Sequence, residues 1–238
     1  PPSSGGVLLV EMLNVLAGRG LAAAGWGAAD SWPDLAGAMR LAFADRARWL
    51  GDPDFFPVPV ARLASPGHAD SLRARLDTAF AGEAPAGAPA ESPHTTHLSV
   101  VDGAGNAVAA TLTINLSFGS GVVAPGTGVL LNDEMDDFSA EPGAPNYFGL
   151  VGGEANAIAP GKRPLSSMTP TILLRDGRPW LVLGSPGGSR IITAVLQVVV
   201  NVVDFGFDLE TAVRAPRIHQ QWSPPETGCE PLALAPEV

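Results

Sequence analysis

The hydrophobic positions of this 238-residue chain follow a helical period up to about residue 80, a strand period from residue 95, and a helical one again from about residue 189. "GGVLLVEMLNVLAGRG" is an apolar helical run with a glycine stop. "SWPDLAGAMRLAFADRARWLGD" places Pro33 in its first turn, where a missing N–H costs least, and Gly51 after its last. Both predict core-facing helices. "GHADSLRARLDTAFAGEA" predicts a third, more polar helix, and an Ala/Pro/Gly stretch from Gly82 to Pro93 reads as a linker. After it the period shortens. "TTHLSVV" and "AVAATLTIN" are rich in β-branched residues and flank "DGAGN", which predicts a hairpin. "TPTILLRDGRPWLVLG" predicts a second, with Asp176-Gly177 at its tip. A buried helix is expected from about Ser189 to Phe205, leading into "DLETAVRAPR". Strands between helical blocks imply an α+β fold with helices covering sheet.

The hairpin makes a geometric prediction. If its loop is the five residues Asp102 to Asn106, Val101 faces Ala107, and counting back sets Thr95 opposite Thr113. Thr113 and Asn115 then share the face of Thr95. A four-residue loop would turn Thr113 away.

Composition narrows the function. A net charge of −10 argues against a nucleic-acid partner. The apolar run Ile191 to Val203 is short and broken by Thr, Gln and Asn, which suits burial in protein rather than a bilayer. The single cysteine, Cys229, excludes an internal disulfide framework and a cysteine-based zinc site.

Several generic motifs carry little. "GSGVVA" fits a dinucleotide-loop pattern, but Pro125 and Gly126 stand where the phosphate-binding helix would begin. The sequon at Asn115 lies at a strand end. His94 and His97 are three apart, on opposite faces of a strand, which does not suit shared metal ligation. "NDEMDD" lacks the glycine and distal glutamate of a calcium loop and, alone, reads as a solvated acidic turn.

Taken in order, "PPSSGG", "FADR", "LGDPDF", "TTHLSVVD", "GNAVAATLTIN", "FGSG", "GVLLNDEMDDFS", "PGKRPLSSM", "GSPGGSRI" and "APRIHQQW" make a longer pattern. The chain resembles the gamma-glutamyltransferase family, also called gamma-glutamyl transpeptidases or glutathione hydrolases. The resemblance implies a four-layer αββα sandwich of the N-terminal-nucleophile hydrolase type. It places residues 1–94 in the C-terminal part of a large subunit and residues 95–238 in a small catalytic subunit, without the first part of the large subunit or the end of the small one. It implies self-cleavage between His94 and Thr95, followed by association of the two pieces as a heterodimer.

The chemistry of such a cut is independent of the resemblance. A threonine hydroxyl is a poor nucleophile without a base beside it, and a chain's own α-amine, with a pKa of about 7.7–8.0, can serve once it is freed. Without the resemblance, Thr95 and Thr96 read as ordinary β-formers. With it, Thr95 becomes the nucleophile and Thr113 its hydrogen-bond partner. Asn115, Glu134 and Asp137 then hold the substrate's ammonium, and Ser166 and Ser167 its carboxylate. Gly187 and Gly188 supply an oxyanion hole. The residue-level alternatives are an exposed loop for the serines and a turn opening a helix for the glycines.

The implied donors are gamma-glutamyl amides such as glutathione, and the acceptors are water, amino acids or dipeptides, with no metal or cofactor. "SAEPGAPNYFG", Ser139 to Gly149, resembles the lid loop of some members, with Phe148 where certain members carry tyrosine. The resemblance also implies an arginine, in a part of the large subunit preceding this chain, that clamps the substrate carboxylate. A bacterial member would be periplasmic or secreted. A cephalosporin acylase of the same fold, or a non-catalytic homologue, is the alternative.

Overall fold

A computed structural model describes residues 2–29, 31–78, 94–225 and 227–229. The expected linker lies outside them. The helical part contains α1 (Gly5–Leu16), α2 (Leu21–Ala24), α3 (Ser31–Trp49), α4 (Val60–Leu63) and α5 (Pro66–Arg73). In α1, Leu8, Met12 and Val15 recur at helical spacing on the buried face. Met39, Ala42 and Phe43 do the same in α3. The third expected helix is shorter than its pattern. α5 starts at Pro66 behind Ser65, whose hydroxyl accepts from His68 N, and after Arg73 the chain tightens into a 3₁₀ turn, Leu76–Thr78.

Strands β1 (Thr95–Val101) and β2 (Ala107–Thr113) form an antiparallel hairpin in the predicted register, with Val101 opposite Ala107 and Thr95 opposite Thr113. Asp102 shapes the five-residue loop by accepting from Ala104 N, Asn106 N and Asn106 Nδ2. The second hairpin, β3 (Thr171–Arg175) and β4 (Arg178–Leu183), turns at Asp176-Gly177, both at positive φ, as a tight hairpin turn demands. The hairpins lie against each other, with Ser99 Oγ donating to the Val182 carbonyl. The opposite face of β1–β2, carrying Leu98, Val100, Val108 and Leu112, is exposed.

Helix α6 (Arg190–Val203) is buried along most of its length, as its interrupted apolar run predicts. The interruptions have partners. Gln197 donates from Nε2 to Ile218 O and accepts at Oε1 from Ile218 N, reproducing half of a strand ladder with a side chain, while Asn201 donates to Ala212 O. Beyond α7 (Leu209–Arg214) come two short strands, β5 (Ile218–Gln220) and β6 (Thr227–Cys229), which the hydrophobic pattern does not reveal. Leu8, Met12, Met39, Phe43, Ile192, Val195 and Leu196 belong to one core, so helices from before and after the linker share it.

Candidate active site

Strand register decides what surrounds Thr95. Its Oγ1 lies 3.4 Å from Thr113 Oγ1, directly across the hairpin. Thr113 Oγ1 accepts from Asn115 N at 2.9 Å and donates to the His94 carbonyl at 3.3 Å. A hydroxyl has one proton and two lone pairs, so Thr113 donates toward the carbonyl that precedes Thr95 and accepts from Thr95 Oγ1 and Asn115 N. Asn115 is buried at φ 71° and ends the strand by turning the chain, with Nδ2 donating to Asp133 O. A buried asparagine is unavailable to a glycosylating enzyme, so the sequon is incidental. His94 pairs with Ser117, and His97 with Thr111 and Ser99, so the two histidines share no ligand.

One pocket is lined by Thr95, Thr113, Asn115, Asp137, Phe148, Ser166, Ser167, Met168, Gly188 and Ile191. Of the nine residues singled out in the sequence, Glu134 and Gly187 are not among the lining residues. They adjoin it, beside Asp137 and Gly188. "NDEMDD" is not a solvated turn. Glu134–Asp137 form one 3₁₀ turn, with Glu134 and Asp137 half-buried and Glu134 Oε1 enclosed without a hydrogen-bond partner among the described residues. Burial pushes the Asp137 carboxyl up to about 7, with Glu134 and Asp136 acting in the same direction and Arg46 opposing. Burial, then the charge of Asp133, raises Glu134 as well.

The serine loop is held by groups distant in sequence. Ser166 O accepts from Ser4 N and Ser4 Oγ, and Ser3 Oγ donates to Met168 O. Arg46, fully enclosed in α3, donates to Leu165 O, Ser4 Oγ and Ser167 Oγ. Sequence reading assigned this arginine no role. A signal was available: Arg46 falls seven, four and three residues after Met39, Ala42 and Phe43, on the helix's core face, where a charge needs a reason.

Gly187 and Gly188, at φ 124° and 57°, form the turn that opens α6, with Ile191 N donating to Gly188 O. A Cβ on Gly188 would lie 2.7 Å from Phe148 Cδ1, so the 139–149 loop presses its ring onto this turn. Gln221, also unassigned from sequence, holds the loop there. Its Nε2 donates to Phe148 O at 3.0 Å, and its Oε1 accepts from Ser189 Oγ at 2.7 Å.

The gamma-glutamyltranspeptidase family model matches residues 1–238. The chain belongs to this family. It is 53% identical over 235 residues to the glutathione hydrolase proenzyme of Escherichia coli (strain K12), covering 97% of this chain and 40% of that protein. It therefore spans about 40% of the length of such curated relatives. Among solved structures, a mutant of the Helicobacter pylori gamma-glutamyltranspeptidase superposes with a TM-score of 0.57 at 57% identity, over 59% of this chain and 76% of that one. A cephalosporin acylase from Bacillus halodurans reaches 0.73 at 28% identity, over 92% and 37%. The α+β arrangement is thus part of the N-terminal-nucleophile hydrolase sandwich expected from the sequence.

Proposed function

We propose that the protein of which this chain is part transfers and hydrolyses gamma-glutamyl groups through an ester on Thr95. The observation that carries the reading is the contact set of Thr113, whose hydroxyl meets both Thr95 Oγ1 and the His94 carbonyl. In the uncut chain, Thr95 Oγ1 attacks the His94 carbonyl carbon. Thr113 donates to the carbonyl oxygen as negative charge builds on it. The peptide nitrogen takes up the proton that the Thr95 hydroxyl gives up and departs as the Thr95 amine, and water resolves the ester, leaving a carboxylate on His94. Residues 1–94 and 95–238 then act as segments of two subunits in one heterodimer.

The freed amine takes the proton of Thr95 Oγ1 as the hydroxyl attacks a gamma-glutamyl amide. The N–H groups of Gly187 and Gly188 receive the tetrahedral oxygen, and the leaving amine departs with a proton. Water or an acceptor amine then releases the glutamyl group. Asp137, Glu134 and Asn115 hold the donor's ammonium, and Ser166 and Ser167, braced by Arg46, hold its carboxylate. Glutathione fits this charge pattern. The E. coli relative's name, glutathione hydrolase proenzyme, supports both the donor and a processed precursor.

The test uses full-length protein and Thr95→Ala. The parent is expected to give two subunits, the smaller beginning at Thr95, and to release amine from a gamma-glutamyl anilide. The variant is expected to stay one chain. Normal processing of the variant would refute the assignment, and faster turnover of a cephalosporin amide than of any gamma-glutamyl amide would make the protein an acylase.

A further inference from the structure

Away from the pocket, helices α1, α3 and α5 bring Glu11, Asp45 and His68 together, with one ligand atom from each within 4.8 Å of the others. His68 Nε2 is 2.6 Å from Asp45 Oδ2 and 3.7 Å from Glu11 Oε1. Glu11 has no exposed surface, and neither of its carboxylate oxygens has a hydrogen-bond partner among the described residues. A helix-borne glutamate could reach solvent from most positions, and a fully enclosed, unpaired carboxylate is costly to keep. The nearby cation is Arg62, which influences Glu11 but lies over the ring of Trp49 at 4.5 Å. Asp45 and His68 therefore pair with each other, and the enclosed Glu11 carboxylate beside them is the group left without a compensating partner.

We propose that Glu11, Asp45 and His68 bind a divalent transition-metal ion of the zinc or manganese class. The donor set decides the class. An imidazole nitrogen beside two carboxylates suits zinc or manganese, whereas calcium and magnesium favour all-oxygen sites. The geometry is close to what zinc needs. Tetrahedral zinc with ligands at about 2.0–2.2 Å sets ligand atoms roughly 3.3 Å apart, between the two His68 separations above, and Glu11 and Asp45, within 4.8 Å of each other, would close by at most about 1.5 Å to seat it. His68 and Asp45 keep 13% and 17% side-chain exposure, which leaves an entry path and room for a water as fourth ligand. None of the three residues lines the Thr95 pocket, and the ion would tie three helices together without taking part in acyl transfer, so the site stands independently of the proposed function.

The full-length protein is stripped with EDTA, dialysed against Zn²⁺ or Mn²⁺ and analysed for bound metal, with thermal unfolding followed in parallel. The expected result is one ion per chain and a rise in unfolding midpoint of at least roughly 3 °C at saturating metal, reversed by EDTA. Glu11→Gln keeps size and removes charge, so it should fold, yet lose both effects. His68→Gln should do the same. Absence of stoichiometric metal from the parent overturns the proposal and leaves Glu11 protonated beside Asp45. Binding undiminished in both variants, or a preference for Ca²⁺ or Mg²⁺, overturns it as well.

Discussion

At the scale of single residues, the proposed function makes Asp137 the source of pH dependence. Its carboxyl is raised to about 7, and the charges facing it are Arg46, Glu134 and Asp136. Under the proposed function a donor ammonium pairs with the ionised form, so the KM for gamma-glutamyl donors should fall as pH rises through about 7. Asp137→Asn should flatten that dependence and raise KM while leaving self-cleavage intact, which steady-state kinetics and a denaturing gel will measure. Arg46 gives a second prediction. Arg46→Lys keeps the charge but cannot reach Leu165 O, Ser4 Oγ and Ser167 Oγ together. Loss of a hydrogen bond from a charged group is worth about 1.5–3 kcal/mol, so donor KM should rise roughly tenfold to a hundredfold. Arg46→Lys with parental KM would make the arginine a core strut with no influence on the pocket.

At the scale of elements, the 139–149 loop and the glycine turn act as a pair. Gly188→Ala meets both an unfavourable φ and the Phe148 ring. It should lower kcat about a hundredfold or more if the turn's N–H is displaced from the oxyanion. Adding Phe148→Ala relieves only the steric part, and a partial return of kcat in the double variant is the expected reading. Legibility also divided by element. The β1–β2 register could be counted from the sequence because Asp102 and Gly105 constrain the loop locally, and that count alone set Thr95 opposite Thr113. α5 could not be bounded, since its last turn tightens with no glycine or proline to announce it. β5 and β6 were missed because three-residue strands show no period, and Ile218 has its backbone satisfied by a helix side chain, Gln197. Arg46, Gln221 and the Glu11 cluster depend on partners from remote segments, which no local pattern encodes. The roles of the pocket residues came from family motifs, and periodicity contributed only the register that puts Thr113 and Asn115 on the face of Thr95.

At the scale of the molecule, the segments before and after the linker are bound by more than the shared core. Buried Asp52 receives the Arg163 backbone N–H and guanidinium, which hold its carboxyl well below the usual carboxylate range. The folded-state value is depressed, so this contribution is present above the ordinary aspartate pKa of about 3.9 and is lost as pH falls below it. Asp52→Asn should unfold at lower temperature than the parent at neutral pH, with the difference shrinking toward pH 2. Ser4 and Arg46 on one segment hold the Ser166 loop on the other, and Ala47 O accepts from Gly153 N. After cleavage the two pieces should therefore elute together on gel filtration and part only in denaturant. An interface this continuous makes the covalent link at residue 94 dispensable for architecture. Two separately translated polypeptides, one ending there and the other starting at Thr95, should find each other and complement, so the gene could be split at that point and the protein assembled from halves.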